Sequence, residues 1–425
     1  MQKKSGMFAC LVLVACFSQS ALATNGYSPT GFGTLNKGMV GAGVALPQDA
    51  MTAATNPAGM GLVGHRTDFG AALFSPSKRG YTADPFTDPA FAGMEPISPG
   101  DYISENDLFL VPHFGWNRQL SETSTLGVSI GGNGGMNTEY DQAVFGNFPP
   151  NNATAPTGVN LEQLFAGVTY AFEVNKGQWL GVMPIFAIQK FEATGLEPFD
   201  NPFLTETPGK VTNNGSELST GFGIRFGWLG QINDDLTLGV SYQSRLYMSE
   251  FDDYAGLFAE QGDFDIPSTW VVGAAYKVQP TVTLVVDFQR INYGEIKSLS
   301  NPNDNPSLKL GADDGLGFGW EDMDIIKLGV QWEFDERLTL RAGYSHATKL
   351  FKGTQALFNI LAPATIRDHV SLGSSYQHGK QSALNLAFTL ALNEEVAGSS
   401  PFTGSQTGSV EMEQWELEIG WSHRF

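Results

Sequence analysis

Alternation of apolar and polar positions with a period of two runs through most of the chain. At the C-terminus Trp415, Leu417, Ile419, Trp421, His423 and Phe425 share one face, while Gln414, Glu416, Glu418, Gly420, Ser422 and Arg424 share the other. Leu236, Leu238, Val240, Tyr242 and Leu246 oppose Thr237, Gly239, Ser241, Gln243 and Arg245. Phe222, Ile224, Phe226 and Trp228 oppose Gly221, Gly223, Arg225 and Gly227, and Leu338, Leu340, Ala342 and Tyr344 oppose Arg337, Thr339, Arg341 and Gly343. Large apolar residues on one side and small or polar ones on the other predict strands between lipid and a polar lumen. About fourteen such segments begin near residues 67, 105, 123, 159, 178, 217, 235, 265, 281, 322, 337, 365, 381 and 411.

The connections alternate in length. Six short turns fall near Ser121-Glu122, Asn175-Lys176-Gly177, Asn233-Asp234, Gln279-Pro280, Asp335-Glu336 and His378-Gly379. Seven long loops cover roughly 78–104, 141–158, 196–216, 251–263, 293–321, 347–364 and 394–410. Both chain ends then lie on the short-turn side, which in outer-membrane barrels is periplasmic. An even strand number closes an antiparallel barrel and leaves no edge. The expected fold is all-β, a 14-stranded antiparallel transmembrane β-barrel over residues 67–425, ending on Phe425 as its assembly signal.

Composition narrows the reading. The 425 residues carry 44 acidic and 24 basic side chains, a net charge of −20 that speaks against nucleic acid as a partner. Glycine is high at 50 residues, Phe numbers 30, and only 16 % of positions are charged. Past the extreme N-terminus no apolar run reaches the ~20 residues of a membrane helix. Residues 1–23 read as a secretory leader: Lys3 and Lys4, an apolar stretch from Met7 to Phe17, and a cleavage site at Ala21-Leu22-Ala23. Leu13-Val14-Ala15-Cys16 offers the alternative of a lipidated Cys16. Cleavage after Ala23 removes both Cys10 and Cys16, hence any disulfide or thiolate chemistry, and leaves a net charge of −22.

Residues 24–66 do not read as a strand pair. Gly31, Gly33, Gly38, Gly41, Gly43, Gly59, Gly61 and Gly64 crowd them, yet Val44, Leu46, Met51 and Met60 argue against a free tail. A compact segment of this size on the periplasmic side can plug a lumen. The run from Asn25-Gly26-Tyr27 through Gly38-Met39-Val40-Gly41-Ala42-Gly43-Val44-Ala45, with Asn56, Pro57 and Ala58 following, resembles the N-terminal hatch of the long-chain fatty acid transporter (FadL) family of outer-membrane proteins. The resemblance spans hatch, strands and terminal Phe. It implies a plugged, monomeric barrel that takes long-chain fatty acids or other hydrocarbons from outside and releases them sideways into the membrane. Outer-membrane lipid, lipopolysaccharide and the barrel-assembly machinery are the partners that follow.

The resemblance also marks residues. In the family a kink in the third strand opens the wall, and Gly131, Gly132, Asn133, Gly134 and Gly135 match its location; four glycines around one Asn weaken a strand in any case. The third and fourth loops form a first capture site in the family. Here they carry Phe199, Phe203 and Leu204, and Phe251, Tyr254, Leu257 and Phe258, the second group at spacings that fit a short helix. Loop 347–364 is equally greasy, and the fifth strand, Leu180 to Ile188, is apolar on both faces. Parity places Arg225, Arg245, Lys327, Arg341 and Arg367 toward the lumen as cations for a carboxylate headgroup, against Glu333, Glu416, Glu418 or Asp287 as their alternative partners. Lys190 is the position nearest to the family's own basic headgroup residues, and the weakness of that match keeps neutral hydrocarbons open as solutes.

Other signals do not gather a site. Gly127-Val128-Ser129-Ile130-Gly131 lacks the helix that a nucleophile elbow needs, and Gly59 to Gly64 lacks a βαβ unit. The six His show no metal spacing, and Asn303, Asp304, Asp313 and Asp314 lack the spacing of a calcium loop. No cofactor is expected. Two alternatives remain: an outer-membrane lipid hydrolase, needing Ser and His together on a wall, and an open porin for polar solutes.

Overall fold

The computed structural model describes residues 24–88, 90 and 93–425; the expected leader, with Cys10 and Cys16, lies outside them. Fourteen antiparallel strands close on themselves: β1 (Arg66–Ala83), β2 (Phe109–Ser121), β3 (Ser124–Glu139), β4 (Gly158–Asn175), β5 (Gln178–Thr194), β6 (Glu217–Gln231), β7 (Leu236–Gln243), β8 (Thr269–Gln279), β9 (Val282–Ile291), β10 (Met323–Glu333), β11 (Leu338–Ala347), β12 (Asp368–His378), β13 (Ser382–Ser399) and β14 (Thr407–Arg424). Each strand pairs with its sequence neighbour, and β14 pairs with β1 from Arg424–Arg66 to Gly408–Ala83. No helix among the described residues is long and apolar enough to cross a membrane.

Alternation decides which way each side chain faces. In β14 Ile419 is 52 % exposed and its neighbour Glu418 only 1 %. The outward set, with Phe69, Val168, Tyr170, Phe226, Val286 and Ile419, is too apolar for water and suits lipid.

Two of the expected long loops are shorter than the sequence suggested. β1 continues to Ala83, and β13 and β14 pair out to Ser399–Thr407, so the expected loop 394–410 shrinks to 400–406. Above the hydrocarbon both faces of a hairpin are polar, so the apolar alternation fades while the hydrogen bonding continues. Parity also fails beyond the end of β7. Leu246 turns inward, buried and bridged to Ile266, while Arg245 stays near the surface with Asp265 (2.6 Å) and Asp263 (3.0 Å). Arg367, just before β12, pairs with Glu394 (3.7 Å) instead of facing the lumen. The expected short helix in loop 251–263 is one 3-10 turn at Asp252–Tyr254: Phe258 is already extended, and Glu260 and Gln261 beyond it hold positive φ.

Residues 24–65 form a two-residue ladder, Thr24–Asn25 with Ser28–Pro29, where no strand pair was expected, followed by short helical turns at Thr34–Lys37, Ala50–Ala54 and Pro57–Leu62. The segment meets strands all around the cylinder. Lys37 pairs with Glu416 (2.8 Å) and Glu418 (2.7 Å) of β14. The Val40 N–H donates to Ser371 Oγ of β12, and those of Gly43 and Val44 donate to Asp287 of β9. The Ala50 N–H donates to Asp68 of β1, and Asn117 of β2 donates to the Met60 carbonyl. Wall glycines let the two backbones touch: an added Cβ would lie 2.3 Å from Ala58 N at Gly181, 2.3 Å from the Val44 carbonyl oxygen at Gly239, and 2.4 Å from Met39 C at Gly343. The largest apolar cluster lies at the loop end of the barrel and gathers Tyr27, Phe145, Phe251, Phe264, Tyr293 and Trp320.

Candidate functional site

Five loops and the ends of three strands enclose an apolar chamber of about 580 Å³, its open side included. Met136, Val159 and Phe191 come from β3, β4 and β5. Phe145, Phe199, Leu257, Phe258, Phe318 and Phe358 come from the loops, with ring centroids 5.0 Å apart for Phe145–Phe199 and 4.7 Å for Phe191–Phe258. Ser298 is the single lining residue with a polar side chain, and its hydroxyl donates to the Asp263 carbonyl (2.6 Å). Loops that turn this many buried apolar side chains onto one cavity give it a lining suited to apolar molecules.

Beside the chamber the wall is broken. The ladder between β2 and β3 ends at His113–Gly131, and the next backbone bond on that side runs from the Glu105 N–H to the Glu139 carbonyl (2.8 Å). Between them lies a bulge in β3: Gly132 pairs with Leu164 and Gly134 with Gln163, leaving Asn133 over. Asn133 turns its amide to Gln163 (3.0 Å), Gln163 donates to Gln189 (3.0 Å), and Gln189 donates to the Phe264 carbonyl (2.9 Å). This chain of amides ties the bulge to the loop that carries Phe258. The freed edge of β3 is met by the N-terminal segment, where the Gly135 N–H donates to the Tyr27 carbonyl (3.2 Å). A second cavity of about 350 Å³, its open side included, lies here, lined by Gly26, Phe74, Arg79, Asn137, Ala362 and Met412 among others; Met136 lines both spaces.

The sequence-derived candidates divide among these places. Gly131, Gly132, Asn133, Gly134 and Gly135 all lie at the break. Phe199, Leu257 and Phe258 line the chamber. Phe251 and Tyr254 are buried behind it, with the Tyr254 hydroxyl donating to the Gly215 carbonyl (2.6 Å) and accepting from the Ala193 N–H. Leu204 packs against the cluster, and Phe203 is 86 % exposed. Asn56, Pro57 and Ala58 sit where the N-terminal segment meets β6; Asn56 donates to the carbonyls of Val44 (2.8 Å) and Trp228 (3.0 Å) and accepts from Ala58 N (3.1 Å). Phe425 lies at the far end, its ring 4.6 Å from that of His65.

None of the basic candidates lines the chamber. Lys190 follows the parity opposite to Phe191, which does, and lies 3.9 Å from Glu162. Arg225 donates to the Ala54 carbonyl and Gln243, and Lys327 to the Thr30 carbonyl (2.7 Å). These two line a separate, more polar cavity of about 450 Å³, its open side included, between the N-terminal segment and β6–β10. Glu416 and Glu418, two of the alternative partners offered for the wall cations, pair with Lys37. Sequence reading missed Arg79 because it lay in an assumed loop, and missed Phe191 and Met136 because they sit in strands. Among loop groups, burial with the charge of Asp265 pushes the Asp263 carboxyl up to about 7 against the pull of Arg245, and burial pushes the Tyr293 hydroxyl above its ordinary value.

Two Ser–His contacts occur on the wall, Ser382 with His423 (2.8 Å) and Ser345 with His369 (3.4 Å). Among the described residues neither imidazole carries a bonded carboxylate, and no cluster has the makings of a metal site.

Comparison with known proteins agrees with this architecture. Outer membrane protein P1 of Haemophilus influenzae is 22 % identical over 397 residues, covering 83 % of this chain and 82 % of its own. The crystal structure of the toluene transporter TodX of P. putida superposes with a TM-score of 0.69 at 16 % identity, over 93 % of this chain and 99 % of that one. A FadL homologue of Pseudomonas aeruginosa gives 0.67 at 15 % identity, over 94 % and 100 %. The family model for outer membrane protein transport proteins (OMPP1/FadL/TodX) matches residues 11–418, and the chain is an outer-membrane β-barrel belonging to that family.

Proposed function

We propose that this barrel takes up small hydrophobic molecules from outside the cell, holds them in the apolar chamber and passes them sideways through the break beside β3. The observation that carries the reading is Met136, one side chain shared by the chamber and the cavity at the break. Residues 24–66 act as a hatch across residues 67–425, with Asn56, Pro57 and Ala58 at its seat. A filled lumen favours a lateral exit, because the axial route is occupied and the freed edge of β3 is not paired to β2. Phe199, Leu257 and Phe258 belong to the capture surface, and Phe251 and Tyr254 hold it in place.

The lining favours neutral solutes as first occupants. Each buried CH₂ contributes ~0.8 kcal/mol, whereas burying an unpaired charge is strongly unfavourable. Aromatic and aliphatic hydrocarbons fit that chemistry, in keeping with relatives named as toluene transporters. The protein works as a monomer among outer-membrane lipid and lipopolysaccharide, assembled by the barrel machinery through Phe425.

Cells with and without the protein provide the test, given labelled toluene and a labelled disaccharide. Faster entry of toluene alone is expected. Entry of the disaccharide would mean an open aqueous pore and overturn the reading.

A further inference from the structure

A pocket of about 780 Å³, its open side included, lies at the opposite end of the barrel from the chamber, between residues 46–48 of the N-terminal segment and strands β10 to β14. Gln381 of the β12–β13 turn and the penultimate Arg424 line it, which sets it at the short-turn end and so toward the periplasm. The chamber has one polar side chain in its lining; here only Leu35, Leu46, Pro47 and Ala383 are apolar. Three of the ten arginines of this acidic chain meet in it, Arg66, Arg341 and Arg424. Arg66 is neutralised by Asp68 (2.6 Å), but the other two have no such partner. Arg341 is 7 % exposed. Its Nε donates to Gln48 (2.6 Å) and Gln331 (3.1 Å) and its Nη1 to Ser375 (2.8 Å), all neutral, and its Nη2 has no acceptor among the described residues. Asp49 and Glu333 act on it only from beyond ion-pair distance. Arg424 is exposed, and its side chain has no hydrogen bond or ion pair among the described residues. A buried charge left without a counter-ion is costly unless something supplies one.

The rest of the lining narrows what that is. Two guanidinium groups with donors to spare complement a dianion, and the fork of a guanidinium matches phosphate oxygens. A phosphate monoester carries a charge of about −1.5 to −2 at neutral pH, where a carboxylate carries one. The side chains of Thr339, Gln377 and Gln381 also line the pocket and have no partner among the described residues. Hydroxyls and amides both donate and accept, which suits a hydroxylated molecule. The few apolar walls offer nothing to an acyl tail. We propose that this pocket binds the phosphate monoester of a small polyol from the periplasm, with Arg341 and Arg424 on the phosphate and Gln377 and Gln381 on the hydroxyls. The site is separate from the chamber and does not depend on the uptake reading. Its occupant bridges residues 46–48 and the wall of β10 to β14, so it fastens the N-terminal segment in place from the periplasmic side.

The test titrates the purified full-length barrel in a calorimeter with glycerol 3-phosphate, glycerate and glycerol. Glycerol 3-phosphate is expected to bind, and glycerate, with one charge, to bind at least ~10-fold more weakly. Glycerol should give no heat of binding. Arg341→Gln and Arg424→Gln should each weaken glycerol 3-phosphate at least ~10-fold. Arg341 also holds Gln48, so its variant can disturb the N-terminal segment; Arg424 has no partner to lose, and its variant decides the matter if the other fails to fold. Undiminished affinity in Arg424→Gln would overturn the proposal, as would equal affinities for the three probes or no binding of glycerol 3-phosphate at all. Amide exchange at residues 48–52 should slow when the phosphate is bound. An unchanged rate there would put the ligand elsewhere and overturn the site.

Discussion

A side-chain carbon added to Gly134 would lie 1.8 Å from the carbonyl oxygen of Tyr27. Gly134 also holds φ +137°, a conformation that side chains resist at ~1–3 kcal/mol. Gly131 differs: an added Cβ there meets only His113 and Met51, at 3.5 Å each. Gly134→Ala should therefore push residues 24–28 off the edge of β3 and cut hydrocarbon uptake several-fold, while Gly131→Ala remains near wild type. Initial uptake rates, with limited proteolysis of the N-terminal segment, check both.

The chamber makes a second prediction. Phe258→Ser removes a ring that lines it, and burying such a ring is worth ~1.5–3 kcal/mol. Solute affinity should fall ~10-fold or more by titration of the purified protein. Phe203→Ser, at a ring 86 % exposed, should leave affinity unchanged. An equal loss in both would move the capture surface outward to the loop tip.

Asn56 offers a third. Its side chain closes three hydrogen bonds and is 1 % exposed. Asn56→Ala leaves the Val44 carbonyl and the Ala58 N–H without these partners, at ~1–3 kcal/mol for each group left buried and unpaired. Amide exchange in residues 40–62 should accelerate and uptake should drop, with the strands unaffected. Unaltered exchange would show that the turn at Pro57 holds without Asn56.

The fourth concerns pH. Asp263 keeps its proton in the folded loop to about 7, far above its value in an unfolded chain near 4. Between those values the folded loop binds the extra proton, so the contribution to stability is complete at acid pH and is lost as pH rises through 7. Ser298 of the chamber donates to the carbonyl of this residue, which links the titration to the lining. Protection of amides 259–268, taken against the intrinsic base-catalysed exchange rate at each pH, should fall from pH 5 to pH 8, and Asp263→Asn should flatten that fall.

Much of this was legible in sequence. The parity of Glu418 and Ile419 is a local property, and it correctly gave faces, strand number and turns. Phe199, Leu257 and Phe258 stood out because large apolar side chains in loops are anomalous. What failed was non-local. Nothing near Glu416 and Glu418 in sequence shows that Lys37, hundreds of positions away, would occupy them. Arg79 was hidden because a strand above the hydrocarbon loses its apolar face, so β1 looked finished before it reached that residue. The parity of Arg245 failed at the end of β7, where the hydrogen bonding that enforces alternation stops.

The wall glycines carry one more consequence. At Gly181, Gly239 and Gly343 the inner surface is bare backbone pressed on bare backbone. A methyl group at any of these points intrudes on the main chain of the other layer, which cannot swing aside as a side chain can. The 50 glycines of this chain thus partly record how near two sheets of peptide are brought, rather than how freely the chain bends. Sequence drift on either layer is constrained by the other, and a relative that exchanged one of these glycines would need a matching retreat of the segment facing it.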